Sequence, residues 1–124
     1  TVILVGVSRT SKTPTCIYLA NQGIKAANIP LVPNHELPEL RTKKPITIIA
    51  LITTPQNLVE VRKKRAIELG LDPKTDDYTN INSVTKEIDE AKKIFNNMAW
   101  PTIDTTRRSV EETAAAIMNI RAQK

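Results

Sequence analysis

Two kinds of apolar pattern alternate along the chain. Val2-Ile3-Leu4-Val5 and Ile46-Thr47-Ile48-Ile49-Ala50-Leu51-Ile52 are almost unbroken runs of apolar and β-branched residues. Such runs mark strands covered on both faces, and so a parallel sheet. Ala27-Asn28-Ile29-Pro30-Leu31-Val32 is a shorter strand, which Pro30 places near a sheet edge. Thr102-Ile103-Asp104-Thr105 returns as a last strand. Between the strands the period lengthens to that of a helix. Thr15 to Gln22 forms one helix, and Gly23 stops it. Thr54-Pro55 opens a second, with Thr as N-cap and Pro in the first turn, and it ends near Gly70. Val84, Ile88, Ala91, Phe95 and Met98 line one side of a third, which Trp100-Pro101 breaks. Ser109 and Glu112 form a capping box ahead of a fourth, marked by Val110, Thr113, Ala114, Ile117 and Ile120. Pro33 to Pro45 reads as a proline-marked loop, and Leu71 to Asn82 as a polar, mobile connection. The order strand–helix–strand–strand–helix–helix–strand–helix predicts a three-layer α/β sandwich with a mainly parallel sheet.

The 124 residues are enough for one compact core, so 1–124 is read as a single domain. The chain lacks an initiator Met and starts inside a strand. It is therefore expected to be part of a longer protein, with N-terminal processing as the alternative. No apolar run approaches a membrane span and no signal peptide is visible, which argues against a membrane partner. The net charge of +5 raises the question of nucleic acid. The aromatic residues, Tyr18, Tyr78, Phe95 and Trp100, are too few for a base-stacking surface, and the basic residues are dispersed. Phosphate-bearing small molecules account for the excess equally well. A lone Cys16 excludes an internal disulfide, fits a reducing cytoplasm, and reads as a small core residue. His35, the sole histidine, reads as an exposed loop residue; with one cysteine it cannot make a structural zinc site.

The chemistry is concentrated directly after the first strand. Gly6-Val7-Ser8-Arg9-Thr10-Ser11-Lys12-Thr13 matches the phosphate-loop pattern G-x-x-x-x-G-K-[ST] except that Ser11 stands in place of the second glycine. In such a loop successive backbone N–H groups make a concave anion site, and the following helix adds the positive end of its dipole. Lys12 would meet the β- or γ-phosphate as an exposed cation on which the core does not depend. Thr13 would offer its hydroxyl to Mg²⁺. Pro14 suits the first helical turn. Ser11 restricts the backbone where glycine would be free, and Arg9 adds a second cation. The alternative is a plain strand-to-helix turn with a solvated lysine.

Two further clusters carry charge. Arg62-Lys63-Lys64-Arg65 lies on the second helix. It is either a solvated basic face or the source of lid cations that neutralise a transferring phosphoryl group. Arg62 and Arg65, three residues apart, would then share a helix face and serve as catalytic cations. Asp104, with Arg107 and Arg108, lies where the last strand turns into the last helix. That is the edge at which ligands bind in open α/β folds. Asp104 either orients Mg²⁺ or a base contact, or joins Ser109 in satisfying the helix start, and Arg107 and Arg108 would meet phosphate. No acid ends the Ile46–Ile52 strand, where Thr53 and Thr54 stand. No catalytic base lies close to the loop in sequence.

The string Gly6-Val7-Ser8-Arg9-Thr10-Ser11-Lys12-Thr13-Pro14 resembles the regulatory proteins of pyruvate, phosphate dikinase and phosphoenolpyruvate synthase. So do Ile17-Tyr18-Leu19-Ala20-Asn21, Ile29-Pro30-Leu31-Val32-Pro33, the helix from Leu58 to Arg65, and Trp100-Pro101-Thr102-Ile103-Asp104 running into Arg107-Arg108-Ser109. The resemblance implies a phosphate-loop kinase-like fold and a bifunctional serine/threonine kinase. One activity uses ADP to phosphorylate and inactivate the dikinase or synthase. The other removes that phosphate with inorganic phosphate as acceptor, releasing pyrophosphate. It carries Gly6 to Thr13 over as the ADP site, and implies that these residues form the carboxy-terminal part of the family protein, with the catalytic base in the other half. A homodimer is left open. The competing readings are an ATP-dependent small-metabolite kinase and a non-catalytic nucleotide-sensing module.

Overall fold

The structure is a computed structural model and describes residues 1–7, 9–31, 46–70 and 79–122. Ser8, Val32, the Pro33–Pro45 loop with His35, and the greater part of the Leu71–Asn82 connection lie outside the described residues.

The elements follow the order read from the periodicity. They are β1 (Val2–Val7), α1 (Lys12–Asn21), β2 (Ala26–Leu31), β3 (Thr47–Ile52), α2 (Pro55–Glu68), α3 (Ile81–Asn97), β4 (Thr102–Asp104) and α4 (Val110–Ala122). The strands form one parallel sheet in the order β2-β1-β3-β4. Val5 pairs with Ile29 on one side and Ala50 on the other, and Ile52 with Asp104. This is an α/β sandwich of three layers. Val2, Leu4, Ile49, Leu51 and Ile103 face α1 and α4, meeting Leu19, Ala114 and Ile117. Val5, Val7 and Ala50 face α2 and α3, meeting Leu58, Val84, Ile88 and Phe95. Both faces of β1 and β3 are buried, which is why those runs carry no polar alternation.

The local signals act largely as read. Thr54 Oγ1 accepts from the Asn57 amide, and Pro55 opens α2. The Ser109 hydroxyl accepts from the Glu112 amide at 3.1 Å and donates to the Glu112 carboxylate at 3.2 Å. Gly23 and Gly70 take φ of 81° and 75° directly after α1 and α2, a conformation that side chains disfavour. One boundary moves. α3 begins at Ile81, inside the stretch expected to be a connection, because the Asn80 side-chain oxygen Oδ1 accepts from the Asn82 and Ser83 amides. At its other end α3 stops before Trp100-Pro101. Ala99 turns to a φ of 55° and Trp100 folds back to 6.2 Å from the Phe95 ring.

The chain runs from β1 outward to β2, and β3 lies on β1's other side. The order therefore reverses at β1, and the crevice at its carboxyl end is the switch point at which open α/β sheets bind ligands. The Gly6–Thr13 loop sits there.

Candidate phosphate-binding site

The loop leaves β1 under tight constraint. A Cβ on Gly6 would stand 2.8 Å from Thr10 Oγ1 and 2.9 Å from the Leu51 carbonyl oxygen of β3. Glycine is thus required by the close approach of the neighbouring strand. Thr10, almost wholly buried, donates to the Val7 carbonyl at 2.9 Å and closes the loop on itself. Arg9 and Ser11 both take positive φ, 70° and 63°. Ser11 occupies the N-cap of α1 with no side-chain cap bond. The position where the motif prefers glycine does adopt glycine's backbone conformation, and serine bears that cost, roughly 1 kcal/mol.

Lys12 is not the exposed cation expected. It is 7% exposed, and its Nζ donates to the Val7 carbonyl at 2.6 Å, with Thr10 Oγ1 at 3.4 Å. The ammonium is folded back over the loop, with the Val7 carbonyl as its partner. Burial first, then Arg62, then Arg9 lower it from the usual 10.5 to about 8, against the opposite pull of Cys16 and Glu87. Thr13 lies exposed beside Lys12 at the start of α1, with Asn28 Nδ2 of β2 at 3.5 Å from its hydroxyl. Arg9, Ser11, Lys12, Thr13, Pro14 and Val61 of α2 line a cleft of about 270 Å³. That is small for a whole nucleotide and ample for a phosphate group or two. Cys16 is buried one turn further along α1, as a core residue should be, and burial pushes its thiol up.

The two arginines chosen from α2 part company. Arg62 is fully buried, and its two terminal nitrogens donate to Glu87 of α3, NH1 to Oε1 at 2.9 Å and NH2 to Oε2 at 2.8 Å. Arg65 is exposed and lies 3.5 Å from Glu68 within its own helix. They do not share a face. α2 packs against α3 through Leu58, Val59, Arg62 and Ala66, so Arg62 is placed as part of a packed layer and not on a lid. Glu87 was not singled out in the sequence. It lies beside the apolar stripe Val84-Ile88-Ala91, and that placement was its only signal.

At the ends of β3 and β4 the helix-start reading describes what is seen. Asp104 Oδ1 accepts from the Thr106 amide at 2.8 Å, and Ser109 caps α4. Arg107 and Arg108 are exposed, and Arg107 has a φ of 58°. Thr53, in the place where an acid was looked for, joins a hydroxyl network instead. Its Oγ1 accepts from Asn57 Nδ2 at 2.8 Å and lies 2.9 Å from Thr106 Oγ1, which also accepts from the Thr54 amide. Among the described residues no cluster of three or more His, Cys, Asp or Glu could hold a metal. A larger hollow of about 620 Å³, lined by Lys92, Lys93, Phe95 and Trp100 among others, lies where α3 leads into β4. That is the amino edge of the parallel sheet, away from the loop. It offers no buried polar group to a ligand.

A parallel α/β sandwich with a glycine-started loop and a buried lysine at its switch point is the architecture of phosphate-loop kinases. A family model described as kinase/pyrophosphorylase matches residues 1–118, and the chain belongs to that family. It is 57% identical over 120 residues to a protein of Pelagibacter ubique, covering 95% of this chain and 43% of that protein. It is 52% identical to one of Caulobacter vibrioides, covering 96% of this chain and 38% of the relative. A Bradyrhizobium diazoefficiens protein is 51% identical, with 96% and 43% covered. All three are named, provisionally, pyruvate, phosphate dikinase regulatory protein. The chain spans about two-fifths of the length of these relatives. This coverage measures length and not position, and it lends the expected carboxy-terminal placement no support. No helix among the described residues is long and apolar enough to cross a membrane.

Proposed function

We propose that this chain is the nucleotide-binding part of a regulatory phosphotransferase acting on pyruvate, phosphate dikinase or phosphoenolpyruvate synthase. In one direction ADP gives its terminal phosphoryl group to a serine or threonine hydroxyl of the target, leaving AMP and an inactive phosphoprotein. In the other, inorganic phosphate takes that group back as pyrophosphate and frees the hydroxyl. The names of the relatives support the target. The loop supports a site that serves both directions, since ADP, phosphate and pyrophosphate present the same oxygens to one cradle.

The observation that carries this reading is the Lys12 ammonium, bound to the Val7 carbonyl at the mouth of a cleft sized for phosphate. On phosphate entry Lys12 would exchange that carbonyl for an anionic oxygen. The loop amides and the start of α1 would hold the rest of the charge. Arg9, exposed at the cleft rim, would screen the approaching group. Thr13 fits Mg²⁺ as a single hydroxyl ligand; the ion would neutralise phosphate charge and take its remaining ligands from phosphate and water. Arg107 and Arg108 are free to meet an acidic target surface at the carboxyl edge.

Calorimetric titration with ADP, ATP and pyrophosphate, each with and without Mg²⁺, tests the reading. Tighter binding of ADP than ATP is expected. A preference for ATP would favour a metabolite kinase. ADP binding with no phosphate transfer in a protein of the relatives' full length would favour a nucleotide sensor.

A further inference from the structure

One backbone oxygen in the loop carries two side-chain donors. The Val7 carbonyl accepts from Thr10 Oγ1 at 2.9 Å and from Lys12 Nζ at 2.6 Å. A carbonyl oxygen has two lone pairs, so both bonds can be held together. The donors differ in what else they can reach. Lys12 lines the cleft, where an anion would draw its ammonium outward. Thr10 does not line the cleft and is 1% exposed. Its hydroxyl lies against the bare backbone of Gly6, where a Cβ would stand only 2.8 Å from it. The direct contact from Lys12 Nζ to Thr10 Oγ1 is 3.4 Å, which is long for a hydrogen bond and adds little hold on the ammonium. Valine has the same shape as threonine, so the hydroxyl is what threonine adds at this position. A second donor on one oxygen contributes little to stability, whereas a buried oxygen left with no donor costs far more. The loop is thus arranged so that its lysine can leave without stranding the carbonyl it leaves behind.

We propose that Thr10 is a positioning residue for Lys12: its hydroxyl shares the Val7 carbonyl with the ammonium and keeps that oxygen bonded when Lys12 turns to phosphate. The proposal rests on the reading of Lys12 as a phosphate ligand. With Thr10 present, Lys12 gives up one of two bonds to the oxygen. Without the hydroxyl, Lys12 would be the remaining side-chain donor to Val7 among the described residues, and every binding event would strand a buried acceptor. Thr10 therefore acts without touching the ligand. It sets how readily the empty loop releases its lysine.

The test pairs a measurement without ligand and one with it. The first compares urea unfolding midpoints of the parent chain, Thr10→Val, Lys12→Met and the double variant. Each single variant leaves the Val7 oxygen one of these donors, and the double variant leaves it neither. The midpoint of the double variant should therefore fall below the value reached by adding the separate shifts. A threonine that only braces the loop would give additive shifts, and that result overturns the proposal. The second is pyrophosphate affinity by calorimetry. Thr10→Val should weaken it about 5- to 100-fold, and Thr10→Ser, which keeps the hydroxyl, should bind within about twofold of the parent. Unchanged binding in Thr10→Val, or an equal loss in Thr10→Ser, also overturns the proposal. Should Thr10→Val fail to fold, Thr10→Ala takes its place in both measurements, since it removes the hydroxyl without asking for the room of a methyl group. Midpoints that fall below additivity in a parent that never binds pyrophosphate would uphold the shared carbonyl and sink the phosphate reading. Additive midpoints in a parent that does bind it would do the reverse.

Discussion

At the scale of single residues, Lys12 is held at a cost to the fold. Its ammonium titrates near 8 when folded and at 10.5 when unfolded. Between those values the unfolded chain carries a proton that the folded chain has lost, so stability rises with pH across that window. Below it the buried charge costs the fold about 3 kcal/mol, of which removing the side chain recovers only part because the Val7 carbonyl then loses that donor. Lys12→Met should therefore stabilise the empty protein at neutral pH by about 1–2 kcal/mol while abolishing pyrophosphate binding. Urea unfolding at neutral and alkaline pH checks this, and the advantage of the variant should vanish above the window. Ser11 bears a separate cost, a left-handed backbone that glycine would adopt freely. Ser11→Gly is expected to raise stability by about 0.5–1 kcal/mol, visible as an increase in Tm. The motif's preference for glycine made this strain legible in advance. The burial of Lys12 was not, because its partner, the Val7 carbonyl five residues back, is brought under the ammonium only by the turn of the loop.

At the scale of elements, the run Arg62-Lys63-Lys64-Arg65 shows how a charge cluster misleads. Three of its members are exposed, while Arg62 lies in the stripe Leu58-Arg62-Ala66 that α2 turns toward α3. That four-residue spacing was available in the sequence. It gave way to the expectation that adjacent cations act together, and a helix separates neighbours by about 100°. Arg62→Ala should accordingly cost about 3 kcal/mol, because it leaves Glu87 without its guanidinium in a largely buried place. Arg65→Ala should stay within about 0.5 kcal/mol, its ion pair being exposed and local. Parallel chemical denaturation of the two variants separates them. The strands and helices themselves were readable because each had two agreeing signals, an apolar period and a cap or stop. α3's start was missed because Asn80 sits in a polar stretch with no apolar residue immediately before it to mark the change.

For the whole molecule, the layer order and the place of the loop followed from the succession of periods. Which side chains meet across the layers did not. Glu87 and Arg62 are 25 residues apart, as are no two members of any motif read from the chain. The Thr53–Thr106 link joins residues 53 apart and ties the start of α2 to the turn before α4. Such pairings are products of the fold, and no spacing rule announces them. The same fold makes ligand and stability one measurement. Pyrophosphate at about a hundred times its Kd should raise unfolding stability by about 2.7 kcal/mol, and the Lys12→Met protein should show no such rise. A thermal scan with and without the anion distinguishes the two proteins.

The sheet's flanks have a consequence of another kind. Among the described residues, β2 and β4 are its outer strands. β4 has only three residues, and β2 carries Pro30, which has no N–H to give a neighbour. A short flank and a proline-bearing flank both make poor templates for a strand from another molecule. Two copies of this chain brought together at high concentration should therefore not zip edge to edge through these two strands into fibrils.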